Sequence, residues 1–218
     1  MNWLAEFFGD PANWSGPYGI PARLVEHLEF SLLALALAAL IAVPLGLLIG
    51  HTGRGALAVV ITANAARALP TLGLLVLVML LVGVGTLPVL VPLVALAVPP
   101  ILVNTYEGIR GVDSDLSDAA YGMGLRGHQV LARVQVPVAL PLILLGLRLA
   151  AIQVVATATV AAYVGLGGLG RFIIDGLATK DFPSTIGGAV LVVLLALAVQ
   201  LLFTLAQRLL VSRGVKGR

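Results

Sequence analysis

Apolar residues gather in five long runs, at about 26–50, 56–83, 87–107, 136–161 and 184–210, with short polar stretches between them. A helix needs roughly 20 apolar residues to cross the hydrocarbon core of a bilayer, so the pattern predicts five transmembrane helices. The second run is interrupted by Leu69-Pro70. Neither half alone would span, which favours one kinked helix over a break into two shorter pieces. An odd number of crossings puts the two termini on opposite sides.

Within the first run Ala34, Ala38, Ala42, Gly46 and Gly50 recur every fourth residue. Small residues at that spacing let two helix backbones approach closely in lipid, so this is a candidate packing face. The N-terminal residues behave differently. Trp3, Leu4, Phe7 and Phe8 fall on one helical face, followed by Trp14 and Tyr18. That suits an external interfacial helix over residues 1–23, the alternative being a frayed tail. No Lys or Arg precedes these apolar residues and Glu6 and Asp10 are acidic, so the segment does not read as a secretory signal.

One stretch breaks the apolar pattern, DAAYGMGLRGHQVLARVQVP at 118–137. Asp113 and Ser114 are helix openers, and Leu116, Ala119, Ala120 and Met123 then follow the spacing of one apolar face. Gly122 and Gly124 end the helix, and a second short turn carries Val130, Leu131 and Val134 before Pro137 and Pro141 open the next span. The segment is too short to cross the membrane. Periodicity alone leaves its apolar face free to pack on its own helices, to lie on lipid headgroups or to meet a partner.

Composition agrees with the pattern: the 218 residues are 60% hydrophobic and 11% charged, with a mean hydropathy of +1.08. That is an integral membrane protein rather than a soluble domain. There is no cysteine, which excludes disulfides, thiolate metal sites and Cys nucleophiles, and His27, His51 and His128 have no metal-ligand spacing. The net charge of +3 matters less than its placement. With a cytoplasmic C-terminus, that side holds Arg54, Arg110, Arg126, Arg133, Arg208, Arg213, Lys216 and Arg218, against Arg23, Arg171 and Lys180 outside. The polar stretch then faces the cytoplasm and the N-terminus faces out.

The polar stretch resembles the EAA loop of binding-protein-dependent ABC transporter permeases, in which E-A-A, three residues, G and nine residues lead to I-x-L-P. Here Asp118-Ala119-Ala120 is followed by three residues, Gly124, nine residues and Val134-x-Val136-Pro137. Asp stands for Glu, and Val for Ile and Leu. Similarity to the osmoprotectant permeases, those for glycine betaine, carnitine and choline, runs over about residues 28–210. It is carried by Asn64-Ala-Ala-Arg-Ala-Leu-Pro70, Asn104-Thr-Tyr-Glu-Gly-Ile-Arg-Gly-Val-Asp113, Gly146-Leu-Arg-Leu-Ala150 and VGLGGLG at 164–170. Arg126 and His128 depart from the subgroup, which often has a capping Thr and an aromatic after the glycine.

The resemblance implies an all-α integral membrane fold of the type I importer permeases, with about five transmembrane helices and a short cytoplasmic coupling helix. It divides the chain into the external segment 1–23, a permease domain 24–211 with a coupling loop at 108–135, and a basic cytoplasmic tail 212–218. It further implies that residues 114–125 seat in a groove on a separate ATPase subunit. There Leu116, Asp118, Ala119, Ala120, Met123 and Gly124 would make the contact. The expected partners are an ATP-binding cassette ATPase dimer carrying ATP and magnesium, a second identical or homologous permease subunit, an extracytoplasmic solute-binding protein and the lipid bilayer. No nucleic acid is expected. The location implied is the inner membrane of a prokaryote, and the substrate an osmoprotectant, with methionine or another small solute as the alternative.

Few residues invite a chemical reading. VGLGGLG lacks the Lys-Ser/Thr of a phosphate loop and follows a membrane helix rather than a strand, and no Walker sequence occurs. The chain is therefore not expected to be an enzyme, and no cofactor or metal is expected on it. Gly165, Gly167, Gly168 and Gly170 are expected to form a flexible external turn, a gate or docking point at the mouth of the path, or else a plain surface or re-entrant turn. Arg67 and Arg148 lie within spans, each about 12 residues or roughly 18 Å from the inner end of its helix. Arginine at that depth usually faces a cavity or partner. With Pro70 and Glu107 they are candidates for the translocation path, pairing with carbonyls, Glu107 or a zwitterion's carboxylate, unless they snorkel.

The span aromatics Phe30, Tyr106, Tyr163 and Phe203 are scattered and suggest no cage for a quaternary ammonium, so for a betaine or choline substrate recognition is expected on a separate binding protein. A self-contained secondary transporter would ordinarily need an acid inside the spans, and a membrane hydrolase a nucleophile with its base; neither pattern is found in the span interiors.

Overall fold

The computed structural model describes residues 2–59, 61–62 and 70–210. Among these the chain is helical with no strand. In chain order the helices are α1 (Trp3–Gly9), α2 (Ile20–Thr52), α3 (Thr71–Val82), α4 (Leu87–Arg110), α5 (Ser114–Gly122), α6 (Gly127–Val130), α7 (Val136–Thr157), α8 (Gly170–Thr179) and α9 (Phe182–Leu210). Four stretches are long and apolar enough to cross a membrane: Ile20–Thr52, Leu87–Arg110, Gly127–Val164 and Phe182–Leu210.

The second predicted span departs from expectation. Pro70 stands in extended backbone, with φ −75° and ψ 102°, and precedes α3 as its N-cap. Without an N–H and with its φ fixed, Pro70 suits that position, and α3 covers only 12 residues. The helix that starts at Thr71 thus does not include Pro70. Residues 63–69, with Arg67 and most of the Asn64–Pro70 motif, lie outside the described residues, as does the basic tail.

The fourth span also begins differently. Helix runs without interruption from Gly127 to Val164, through a π-helical turn at Leu131–Gln135 and a final 3₁₀ stretch at Ala158–Val164. Pro137 cannot donate to the carbonyl four residues back, and the wider turn just before it takes up that defect.

Contacts gather into two compact units, one of residues 1–36, 70–96 and 151–199 and one of 37–69, 97–150 and 200–218. In the first, the N-terminal segment is docked rather than frayed. Phe7 is fully buried and meets Phe172 edge-on at 5.3 Å, and Trp3 stacks on Phe182 at 5.9 Å. The Asn13 amide donates to the Phe7 carbonyl at 2.9 Å and the Trp14 indole to the Phe8 carbonyl at 2.8 Å. Helix α2 starts at Ile20, ahead of the predicted start of the permease domain.

In the second unit the small-residue face of α2 packs on α4. A Cβ at Gly46 would lie 2.7 Å from Thr105 Cβ, and one at Gly50 2.7 Å from Ile109 Cβ. Ala38, Ala42, Gly46 and Gly50, the members of the series in this unit, are all buried. Ile109, Ala139 and Ile143 form a core with Leu47, Leu131 and Val136 packed around it.

Candidate functional site

Helix α5 is built by its two ends. Asp113 caps it, its Oδ1 accepting from Asp115 N at 3.0 Å, while Asp115 adds negative charge to the first turn. At the other end Leu125 N donates to Ala120 O and Gly124 N to Tyr121 O, a Schellman closure. That closure puts Gly124 at φ +87°, a conformation that penalises any Cβ. The glycine of the loop pattern thus has a physical reason. Gln129 Oε1 then accepts from Arg126 N at 2.8 Å and opens α6.

The predicted apolar face divides in two. Ala120 is 1% exposed and anchors the helix, whereas Leu116 is 45% and Met123 75% exposed, and Asp118 and Ala119 are exposed as well. Among the described residues, most of the face therefore stays uncovered. Three residues not singled out from sequence hold α5 from behind. His51 Nδ1 lies 2.7 Å from Gln135 Oε1, and Gln135 Nε2 donates to Ser117 Oγ at 3.4 Å.

Of the path candidates, Pro70 is exposed at the start of α3. Glu107 is exposed and makes no ion pair with a described residue. Arg148 is half-buried and donates not to a carbonyl or to Glu107 but to Gln207 Oε1, at 3.3 Å. Gln207 Nε2 donates onward to Pro141 O at 3.2 Å. The reason is chemical: an amide satisfies a guanidinium with its oxygen and a backbone carbonyl with its nitrogen. Gln207 lies in α9, far from Arg148 in sequence.

The glycine cluster is clamped, not a loose turn. Glu26 Oε2 accepts from Gly168 N at 2.8 Å and from Arg23 Nη1 at 2.9 Å. Gly168 has φ +92°, and a Cβ on Gly167 would run into the Glu26 carboxylate. Gly170 packs as tightly on the Thr159 carbonyl, and Gly165, at φ +75°, ends the 3₁₀ stretch. Beside them His27 is fully buried, with Nε2 2.9 Å from Val155 O. In the same unit a cleft of about 550 Å³ opens among Tyr18, Arg23, Arg171, Asp175, Asp181 and Ser184. The faces of two rings suited to a cation are occupied by the chain's own arginines, Arg23 over Tyr18 at 5.2 Å and Arg110 over Tyr106 at 6.0 Å.

Residues 42–215 match the family described as binding-protein-dependent transport system inner membrane component. The chain belongs to this family. The permease is 38% identical over 192 residues to the glycine betaine/carnitine/choline transport system permease protein OpuCB of Bacillus subtilis, covering 88% of each chain. It is 39% identical over 175 residues to the carnitine transport permease protein OpuCB of Listeria monocytogenes, covering 80% of each. Its fold matches that of an inward-facing chain of the MetNI methionine ABC transporter with a TM-score of 0.76 over 88% of this chain and 96% of that one. At 23% identity that likeness concerns fold alone. The protein is thus a multi-pass inner-membrane permease of an ABC importer, working with a separate ATPase, where ATP is hydrolysed, and with a binding protein.

Proposed function

We propose that this permease forms the translocation path for a quaternary-ammonium osmoprotectant, such as glycine betaine, carnitine or choline, and is driven through α5. The substrate class is supported by the relatives' names and by similarity over most of the chain. The observation that carries the coupling role is the exposed surface of Leu116, Asp118, Ala119 and Met123 on a helix capped at both ends. An apolar patch with one acid on an otherwise polar loop fits a protein groove better than water.

In this reading the partner is an ATPase dimer that binds ATP and magnesium, and a second permease subunit, identical or homologous, completes the path. The N-terminus lies outside and the C-terminus in the cytoplasm. The divisions 1–23, 24–211 with the loop 108–135, and 212–218 correspond to segment, membrane body and tail. The clamped Gly165–Gly170 turn and the mixed-charge cleft would meet the solute-binding protein. Arg148, with Arg67, Pro70 and Glu107, would border the path. Substrate selection falls to the binding protein.

The test uses liposomes holding the permease, its ATPase and its binding protein, with uptake of betaine, carnitine and choline measured beside ATP hydrolysis. One of the three should be strongly preferred. Asp118→Lys should lower both uptake and stimulated ATPase at least about tenfold, the effect of losing roughly 1.4 kcal/mol at the contact. Uptake by the permease alone, without ATP and indifferent to Asp118, would mean that it is a self-contained carrier.

A further inference from the structure

We infer that His51, Gln135 and Ser117 form a polar strut that fixes the coupling helix to the end of α2, making all three positioning residues of the transport cycle. The inference rests on α5 being the element that meets the ATPase. The three side chains come from separate elements: His51 from the last turn of α2, Gln135 from the last position of the π turn, and Ser117 from the middle of α5.

The chemistry gives the strut a direction. An amide oxygen only accepts, so His51 Nδ1–H is the donor to Gln135 Oε1, and the amide nitrogen then donates to Ser117 Oγ. Both bonds lie in partly buried surroundings, where they are stronger than in open water. The other edge of the imidazole faces the start of α6. A Cβ on Gly127 would sit 3.4 Å from His51 Nε2. The π turn matters because its additional residue rotates the chain on either side of it by about 100° relative to an unbroken α-helix, which is how Gln135 comes to face both partners.

Helix α5 is tied to α2 through this strut. Of its predicted apolar face only Ala120 is buried. A push received at Leu116, Asp118 and Met123 therefore reaches α2 through Gln135. Breaking the strut leaves the docking face intact but lets the helix move without its load. The expected defect is hydrolysis without transport.

The experiment reconstitutes the permease with its ATPase and binding protein and measures solute moved per ATP hydrolysed. Gln135→Leu should co-purify with the ATPase and hydrolyse ATP at the basal wild-type rate, while transport per ATP falls at least about fivefold, the lower range of energetic coupling between sites. Gln135→Glu should keep the wild-type ratio, since a carboxylate still accepts from His51 and from the Ser117 hydroxyl. Ser117→Ala removes one end of the strut with little change in volume and should lower the ratio in the same direction, even where Gln135→Leu does not assemble. Unchanged ratios in Gln135→Leu or Ser117→Ala, or a loss in Gln135→Glu equal to that in Gln135→Leu, would overturn the strut. Asp118→Lys run in parallel separates the two ideas: if it stays fully active, the docking role of α5 is lost and the strut with it.

Discussion

Gly46 shows how far a single atom decides packing in this chain. Its missing Cβ would sit 2.7 Å from Thr105 Cβ, inside any normal carbon contact, and both atoms belong to helices that cannot yield locally. Gly46→Val should destabilise the permease by about 2 kcal/mol through overpacking, seen as a lower unfolding temperature in detergent. Leu45→Val next to it, on the exposed side, should leave the temperature nearly unchanged. Glu26 works by another route, as the acceptor for Gly168 N. Glu26→Gln keeps a carbonyl oxygen there and should retain most uptake. Glu26→Ala leaves the amide unsatisfied and should lower uptake by about tenfold, the effect of roughly 1–2 kcal/mol at a partly buried donor. The two sites differ in how well sequence reveals them. The Ala/Gly face is a spacing within one helix, whereas Glu26 and Gly168 are 142 positions apart and neither side carries a periodic signal.

Among the elements, α5 was the most legible, because caps, apolar spacing and the closing glycine are all local. Which of its apolar residues turn inward was not, since that depends on what lies behind them. The N-terminal helix gives the same lesson. Its amphipathic face is plain in the sequence, but the protein partner of Phe7 is not: a Cβ on Gly187 would enter the Phe7 ring. Phe7→Ala should therefore destabilise the docked segment by about 3 kcal/mol. Limited proteolysis would show faster cleavage near residues 9–17, while an unaltered cleavage rate would mean that the segment is held some other way. The helix α8, of which only Gly170 was singled out from sequence, is closed by Lys180 at φ +62°, a left-handed cap without the usual glycine signal. The π turn left no signal either, because its cause, Pro137, reads equally well as the start of a helix.

For the whole molecule the number of crossings turns on the stretch between α2 and α4. Helix α3 has 12 residues, about 18 Å at the usual rise, against roughly 30 Å of hydrocarbon. If the chain crosses there with help from the residues before Pro70, three crossings separate the N-terminal segment from α5, and the two face opposite sides. If it does not, two crossings separate them and they share a side. The distribution of basic residues favours the first arrangement, with Arg54, Arg110, Arg126 and Arg133 all inside. Since the chain has no cysteine, single-cysteine variants report on this without background. Ser15→Cys and Met123→Cys are both at exposed positions. A membrane-impermeant maleimide should label Ser15→Cys in intact cells and Met123→Cys only after permeabilisation. Labelling of both from outside would remove the crossing between α2 and α4, put α5 on the side that has no ATP, and exclude its contact with an ATPase.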